Sequence, residues 1–371
     1  MKLLADENMP YVHELFDDWA QVTTCPGRSM SPAQVAEADV LLVRSITRVD
    51  EALLARAQGL TFVGTATIGC DHIDTRYLAE RQIGFASAPG CNKVAVGDYL
   101  LAALLKVAGH KGWQLSEKRL AVVGAGNTGC EVAARARALG MAVQLCDPPR
   151  AAREGGDFVS LEQALTADIV SFHVPLTHGG DYPTRHLLDR GRIEGLGSEQ
   201  VLVNACRGDV WDNRALLDRQ QGPSPLTLVM DVWEHEPAVL AELVPHTLIA
   251  TPHIAGYSLE GKARGTFALY QALCQRRGRA VTAGVEHLLP APPIARLTLG
   301  QAPDQDMFNR LVRLVYDIDA DDRRFRAALG QPDFFDRLRK TYPERRELGS
   351  LTLEYPDQAV LTQLAGLGFN T

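Results

Sequence analysis

Apolar residues in the first part of the chain recur with two alternating periods. Short continuous apolar runs, typical of buried strands, are separated by stretches in which apolar residues recur at helical spacing. In chain order these segments are KLLAD, VHELFDDW, ADVLLVRS, VDEALLARA and LTFVGTAT. Alternating strands and helices predict a parallel sheet covered by helices over residues 1–95.

A second and more regular series of apolar runs follows a long helical pattern that begins near Val94 and ends near Gly109. Its predicted strands lie in RLAVVGAGNTG, AVQLCD, ADIVSFHVP, QVLVNACRG, LTLVMDVW and HTLIATPHIAG. Helical segments separate them, so this series predicts a doubly wound domain. After Tyr257 the pattern is helical again, and we expect the chain to return there to the first domain.

The segment LLPAPPIA, which begins at Leu288, predicts a linker because proline interrupts helices and strands alike. We therefore predict an α/β protein with two doubly wound parallel-sheet (Rossmann-like) domains, the first of them discontinuous, and a C-terminal α+β domain. The predicted boundaries are residues 1–95 with 258–287, residues 96–257, and residues 288–371.

Charged residues in the last predicted domain alternate in sign. Its arginines are interleaved with aspartates and glutamates, so a solvated surface is a better interpretation than a phosphate-binding arm. These arginines are Arg323, Arg324, Arg326, Arg337, Arg339, Arg345 and Arg346.

The composition narrows the class of partner. The 38 basic and 45 acidic residues give a formal net charge of −7, so nothing global favours nucleic acid or an anionic membrane as a partner. The seven cysteines form no CxxC pair or Cys/His cluster, so we expect reduced thiols, no bound metal and a cytoplasmic protein. Asp6 and Glu7 precede any apolar signal-peptide core, and no apolar stretch reaches the ~20 residues that cross a bilayer.

Three glycines follow the first strand of the second series at GxGxxG spacing. Gly124, Gly126 and Gly129 lie in AVVGAGNTG, directly before the helical segment CEVAARARALG. The first allows a tight turn, the second lets the backbone approach a pyrophosphate, and the third allows close helix packing. We therefore expect Gly126, Asn127 and Thr128 to contact phosphate at the helix N-terminus.

The next strand ends at Asp147, about 20 residues after the middle glycine, where dinucleotide-binding domains place a ribose-binding carboxylate. Such a carboxylate binds both ribose hydroxyls of NAD and repels the additional phosphate of NADP. NAD is therefore the predicted cofactor, and the nearby Arg150 keeps NADP as the less favoured alternative.

Three polar residues follow predicted strands of the second domain, namely Arg207 in NACRGD, Glu236 in DVWEHEP and His253 in ATPHIAG. Each alone has a structural explanation, as an ion pair, a helix-start carboxylate or a turn histidine. Together they meet the requirements for oxidising a 2-hydroxy acid. The guanidinium would hold the substrate carboxylate, the imidazole would accept the hydroxyl proton, and the carboxylate would orient the imidazole. Asp231 in MDVW could bind the nicotinamide or its ribose, or could be structural.

The glycine motif, Asp147 and the ordered series of Arg207, Glu236 and His253 resemble the D-isomer-specific 2-hydroxyacid dehydrogenases over roughly residues 1–285. The segments DENMP, VRSITRV, VGTATIGCDHID, APGCN and HIAGYSLEGKARG are similar to one branch of that family. The resemblance implies a small phosphorylated 2-hydroxy acid as substrate. It also implies a C-terminal dimerisation domain, and hence a homodimer.

The resemblance further implies site residues. Ser45 and Thr67 would contact the substrate from the first domain and Tyr257 from just beyond His253, while Gly256 would let the backbone approach the cofactor.

Two other positions qualify this picture. Val174 stands where many relatives have threonine beside the nicotinamide, so a hydroxyl contact there is expected to be absent. Arg44, next to Ser45, could provide positive charge for a substrate phosphate, or could be ion-paired at the surface.

Two alternatives remain open at this stage. One is another 2-hydroxyacid dehydrogenase, such as one acting on 3-phosphoglycerate, because the three catalytic residues select only the hydroxy acid. The other is a non-catalytic protein that senses NAD and recruits partners.

Overall fold

The computed structural model describes residues 1–285 and 287–371. The chain divides into two compact units, each built from two segments. The first comprises Met1–Lys93 and Tyr257–Ala291, and the second comprises Val94–Gly256 and Pro292–Thr371.

Strands and helices alternate in the first segment of the first unit. The strands are β1 (Lys2–Asp6), β2 (Gln21–Cys25), β3 (Val40–Val43), β4 (Phe62–Thr65) and β5 (Gly84–Ala86). The helices are α1 (Val12–Phe16), α2 (Pro32–Val35), α3 (Glu51–Leu54) and α4 (Thr75–Glu80).

These strands form a five-stranded parallel sheet in the order β2-β1-β3-β4-β5, within residues 1–93, all of which are described. Every residue of β3 and β4 is buried, as expected for parallel strands covered on both faces. The edge strands differ, because β2 (QVTTC) is largely exposed and β5 has three partly buried residues. The sequence pattern did not predict either edge strand.

The second unit begins with a long helix and continues with a second α/β series. The helices are α5 (Lys93–Lys111), α6 (Asn127–Ala138), α7 (Pro148–Glu154), α8 (Leu161–Ala164), α9 (Arg190–Glu194) and α10 (Asn213–Gln220). The strands are β6 (Arg119–Val123), β7 (Ala142–Cys146), β8 (Ile169–Phe172), β9 (Val201–Asn204), β10 (Thr227–Met230) and β11 (Ile249–Ala250).

This second sheet is parallel, with six strands in the order β11-β10-β9-β8-β6-β7 across the described residues 94–256. The chain passes from β7 at one edge to β8 on the other side of β6. Ligands of doubly wound sheets bind outside the carboxyl ends of the strands at such a switch point.

The chain then returns to the first unit through α11 (Leu259–Arg276), which begins at Ser258, whose hydroxyl accepts from the Gly261 amide. Leu269, Tyr270 and Leu273 of this helix pack into the apolar core that also contains Phe16 and Leu42. The sequence prediction that the first domain is discontinuous therefore matches the chain path.

Residues 292–371 lie in the same compact unit as the six-stranded sheet. Their strands β12 (Arg296–Thr298) and β13 (Thr352–Glu354) pair in parallel. Their helices are α12 (Gln305–Val315), α13 (Ile318–Ala328), α14 (Phe334–Lys340) and α15 (Gln358–Leu367). Phe325 and Phe335 enter the core around Trp233, and Gln363 of α15 donates to the Ala138 carbonyl at the end of α6.

The solvated-surface interpretation of this segment is wrong for some of its charged residues. Arg345 is 6% exposed, Asp321 4% and Glu347 5%. Others follow the prediction, since the Arg323 side chain is 67% exposed. Because basic and acidic residues are interleaved in this segment, the sequence pattern did not reveal that Arg345 is buried.

Candidate active site

The glycine-rich turn connects β6 to α6 with the division of roles that its spacing predicts. Gly124 has φ +93°, and a Cβ there would lie 2.6 Å from the carbonyl of His173. A Cβ on Gly129 would collide with the carbonyl oxygen of Gly124, so the helix can approach the turn only without one. At Gly126 nothing lies within 4 Å of the corresponding Cβ position. The backbone at the start of this 12-residue helix is therefore open to a pyrophosphate.

The remaining predicted cofactor residues border this turn. Asp147 follows β7, and its two carboxylate oxygens accept from the amides of Ala125 and Arg150, each at 2.9 Å. Val174 follows β8, with its Cγ1 2.9 Å from the Cβ position of Gly124. The glycine-rich turn, the Asp147 carboxylate and the Val174 side chain thus lie together at the switch point of the sheet. This set of groups fits an adenine dinucleotide.

Arg150 also lies at this turn. Its Nη1 donates to the Ala125 carbonyl at 2.7 Å and its Nε to Glu154 at 2.7 Å. The guanidinium therefore bonds the turn and the last residue of α7, which argues against reserving it for an additional phosphate.

Glu236 and His253 are brought into direct contact. The Nδ1 of His253 lies 2.7 Å from Oε2 of Glu236, whose Oε1 accepts from the Trp233 amide at 2.9 Å. Burial opposes ionisation of Glu236, but His253 and the Trp233 amide outweigh it and lower the pKa of the carboxyl. An ionised Glu236 fixes the Nδ1–H tautomer of His253 and leaves Nε2 as the basic nitrogen.

His253 has the left-handed φ of +58°, which costs a residue other than glycine about 1–3 kcal/mol. Its amide donates to the Asp231 carbonyl at 2.6 Å. The next two amides, of Ile254 and Ala255, donate to the Asp231 carboxylate at 2.8 and 2.9 Å. This set of bonds holds the loop in the unfavourable conformation.

Asp231 is 1% exposed and also accepts from the Thr251 hydroxyl at 2.6 Å. Both of its oxygens are therefore used within the domain, which the sequence could not show. Its structural role is established by these bonds, and its contact with cofactor remains a prediction.

Arg207 follows β9, the strand between β8 and β10. Its carbonyl accepts from the Asn204 side chain at 3.0 Å, and its Nη1 donates to the Cys206 carbonyl at 2.7 Å. A Cβ on the following Gly208 would collide with the Trp233 carbonyl, so this turn packs directly against the segment that carries Glu236. The three residues thus follow adjacent strands β9, β10 and β11.

The predicted substrate residues of the first unit lie after β3, after β4 and before α11. Ser45 is exposed, and the Thr67 hydroxyl donates to the Gly69 carbonyl at 2.9 Å. Arg44 contacts Tyr257, with Nη2 3.4 Å from the phenol oxygen. Lys262, which the sequence analysis did not single out, places Nζ 4.9 Å from the centre of the Tyr257 ring. Only its position in the first turn and a half of α11, five residues after Tyr257, could have indicated it.

Two findings concern what the described residues lack. None of their helices is long and apolar enough to cross a membrane. In residues 1–285 and 287–371, no group of three or more His, Cys, Asp or Glu side chains could hold a metal ion.

Comparison with known proteins agrees with this geometry. The NAD binding domain of the D-isomer specific 2-hydroxyacid dehydrogenases matches residues 99–255, and a domain of unknown function matches residues 288–368. A crystal structure of NAD-bound 3-phosphoglycerate dehydrogenase from Entamoeba histolytica superposes with a TM-score of 0.65. It is 21% identical, over 76% of this chain and 99% of that chain.

The chain belongs to the NAD-dependent D-isomer specific 2-hydroxyacid dehydrogenases and is an oxidoreductase that acts on a hydroxy acid. An erythronate-4-phosphate dehydrogenase from Aeromonas hydrophila is 57% identical, and one from Tolumonas auensis is 54% identical. Both alignments cover 100% of this chain and 99% of the relative. Within its family, the chain therefore groups with the erythronate-4-phosphate dehydrogenases.

Proposed function

We propose that the protein oxidises 4-phospho-D-erythronate at C2 to (R)-3-hydroxy-2-oxo-4-phosphooxybutanoate with NAD, as a step in pyridoxal 5'-phosphate biosynthesis. The full-length similarity to erythronate-4-phosphate dehydrogenases supports the substrate. The observation that carries the chemistry is the 2.7 Å contact between Glu236 and His253 at the carboxyl end of the sheet.

His253 is the proposed general base. Its Nδ1–H donates to Glu236, so Nε2 accepts the proton of the C2 hydroxyl. As the O–H bond breaks, its electron pair forms the C2 carbonyl, and the hydrogen on C2 leaves as hydride with the electron pair of the C2–H bond. Bound NAD supplies the hydride acceptor. Glu236 stabilises the resulting imidazolium, which then releases its proton to solvent.

Arg207 is proposed to hold the substrate carboxylate. The bonds at Asn204 and Cys206 orient its backbone and one guanidinium nitrogen. A guanidinium has five N–H donors in a planar fork, so it can hold its own turn and bind a carboxylate at the same time.

The cofactor would be held by the loop and its border. We propose that Gly124, Gly126 and Gly129 shape the pyrophosphate site and that Asn127 and Thr128 donate to it. Asp147 would accept from the ribose hydroxyls. The nicotinamide end would be bordered by the positions Val174, Asp231 and Gly256.

For the phosphorylated substrate, Ser45, Thr67 and Tyr257 are the proposed polar contacts from the first unit. Arg44 and Lys262 place two cations at Tyr257, and this local charge supports a phosphate site in a chain of net charge −7.

We also propose that the protein is a cytoplasmic homodimer that associates through residues 288–371. The seven cysteines all lie in the described residues and form no disulfide, which supports a reducing compartment. Leu314 and Ile294, which are 50% and 40% exposed, support an apolar interface in this segment. Sedimentation of the parent and of Leu314→Asp tests the dimer, which a monomeric parent would refute.

The central test measures NADH formation by protein that has been stripped of co-purified cofactor and then supplied with NAD. Its substrates are 4-phosphoerythronate, unphosphorylated erythronate and 3-phosphoglycerate. We expect a clear preference for 4-phosphoerythronate. A preference for 3-phosphoglycerate would refute the substrate, and bound NAD without turnover on any of the three would favour the NAD-sensing alternative.

A further inference from the structure

The backbone that follows His253 is hydrogen-bonded on both of its polar sides. The amides of Ile254 and Ala255 donate to Asp231, as described above. Their carbonyl oxygens face Arg345, whose Nη2 donates to Ala255 at 2.7 Å and whose Nη1 lies 3.5 Å from the Ile254 oxygen. The same Nη2 also donates to the Ala95 carbonyl in α5, at 2.9 Å.

The surroundings of Arg345 suit a fixed guanidinium. The guanidinium carbon lies 4.3 Å from the centre of the Tyr316 ring, in cation–π range. Two buried acidic groups nearby have hydrogen bonds of their own. Asp98 accepts from Arg135 and from the Leu348 amide, and Asp321 accepts from Tyr342. The bonds of 2.7 and 2.9 Å from Arg345 thus go to backbone carbonyls, and Tyr342 is an additional side-chain partner. The planar fork of an arginine can reach carbonyls in pairs, which a lysine cannot.

We infer that Arg345, from the C-terminal segment, is a positioning residue for His253. Its guanidinium fixes the carbonyls of Ile254 and Ala255, so that the left-handed backbone of His253 is held between Arg345 and Asp231. This assigns a catalytic support function to the region that matches a domain of unknown function. The role in turnover rests on the proposed dehydrogenase function.

Arg326 provides a matched control. It also comes from the C-terminal segment, and it also donates to backbone carbonyls, those of Val244 and Thr247 at 2.7 and 2.8 Å. Those carbonyls precede β11, whereas the loop that carries His253 follows it. Arg326 therefore joins the C-terminal segment to the six-stranded sheet without contacting that loop. Loss of either arginine removes several bonds, which for Arg326 include an ion pair with Asp322 at 2.9 Å, but only the bonds of Arg345 reach residues 254–255.

The experiment compares Arg345→Lys and Arg345→Met with Arg326→Lys and Arg326→Met in the full-length protein. Amide hydrogen exchange of the peptide around residues 251–257 is measured without substrate. For the same variants, kcat, KM, the dissociation constant of NAD and the primary isotope effect with substrate deuterated at C2 are measured. The lysine variants preserve the buried charge, so they keep the test open if the methionine variants do not fold.

In each Arg345 variant that folds, we expect the Ile254 and Ala255 amides to exchange faster than in the parent protein. The kcat of these variants should fall about 10- to 100-fold with a larger isotope effect, because a small displacement of the base slows the chemical step. The KM and the NAD dissociation constant should change by less than about threefold. The Arg326 variants should exchange faster around residues 244–250 instead and keep the parental kcat.

Parental exchange at residues 254–255 in Arg345→Lys would overturn the inference, since Asp231 alone would then hold the loop. An equal loss of kcat in the Arg326 variants would also overturn it, because the effect would be one of general stability. A parent that oxidises no 2-hydroxy acid would refute the proposed function instead, and the exchange measurement would still decide whether Arg345 holds the loop.

Discussion

The glycine-rich loop after β6 and the loop after β11 lie at the same edge of one parallel sheet, yet they are held differently. The first is shaped by its own glycines, since a Cβ at Gly124 or Gly129 would meet a neighbouring carbonyl. The second is held by side chains distant in sequence, namely Asp231, Glu236 and Arg345. The glycine-rich loop is proposed to bind the cofactor through its backbone, which requires mainly the absence of side chains. The loop after β11 is proposed to orient a general base, which requires hydrogen bonds from several directions.

The largest expected effect comes from removing the proposed base, His253, from the second loop. His253→Asn should lower kcat/KM by about 10²- to 10⁴-fold, because no side chain then accepts the C2 hydroxyl proton. NAD affinity should be unchanged, since the glycine-rich loop is held independently. Steady-state kinetics and NAD titration measure both.

The control is His235→Asn, at an exposed position that also has a positive φ, +61°. It should keep kcat/KM within about twofold. Turnover by His253→Asn near that of the control would show that another group is the base.

A second test removes one of the hydrogen bonds that hold the loop of His253. In Asp231→Asn, the amide NH₂ group would oppose a backbone N–H, because an asparagine oxygen accepts at one side only. The free energy of unfolding should fall by about 1–3 kcal/mol, as for a buried bond left unmade. Denaturant unfolding measures this loss, and an unchanged midpoint would refute the account of the loop.

The glycine-rich loop should respond differently at its two positions. Gly129→Ala should lower the free energy of unfolding by about 1–3 kcal/mol, because the added carbon meets the Gly124 carbonyl oxygen. Gly126→Ala should leave stability unchanged, because nothing lies within 4 Å of the added carbon. It should weaken NAD binding about 10-fold, or about 1.4 kcal/mol, if the pyrophosphate takes that space as proposed. Thermal unfolding and NAD titration of the two variants distinguish these effects. Equal losses of stability in the two variants would contradict the different roles assigned to the two glycines.

The smallest expected effect is a pH dependence of stability. The pKa of Glu236 is below its ordinary 4.5, chiefly because His253 and the Trp233 amide outweigh the cost of burial. The carboxylate therefore contributes stability that is fully present above about pH 4.5 and is lost as pH falls through the lowered pKa. In Glu236→Gln this part of the acid dependence, on the order of 1 kcal/mol, should disappear. Unfolding curves between about pH 6 and pH 3 test it.

The contrast also explains what could be predicted. Central strands such as β3 and β4 are continuous apolar runs because both faces are covered, so the pattern predicted them. The edge strand β2 is mostly exposed and has no continuous apolar run, so the hydrophobic pattern did not predict it. Likewise, the spacing of the glycines predicted a turn whose requirements are local. The positions of Arg207, Glu236 and His253 directly after predicted parallel strands placed them at one edge.

By itself, the sequence determined the alternation of strands and helices, the glycine turn and the candidates for catalysis, because each depends on residues close together in the chain. Only the tertiary structure decided that Asp231 and Arg345 hold the loop of His253, and that Tyr99 bonds Thr251 beside it. Those contacts join residues up to 152 positions apart, from Tyr99 to Thr251. Charge patterning classed Arg345 as solvated, because burial depends on what packs above a residue and periodicity records only its neighbours along the chain.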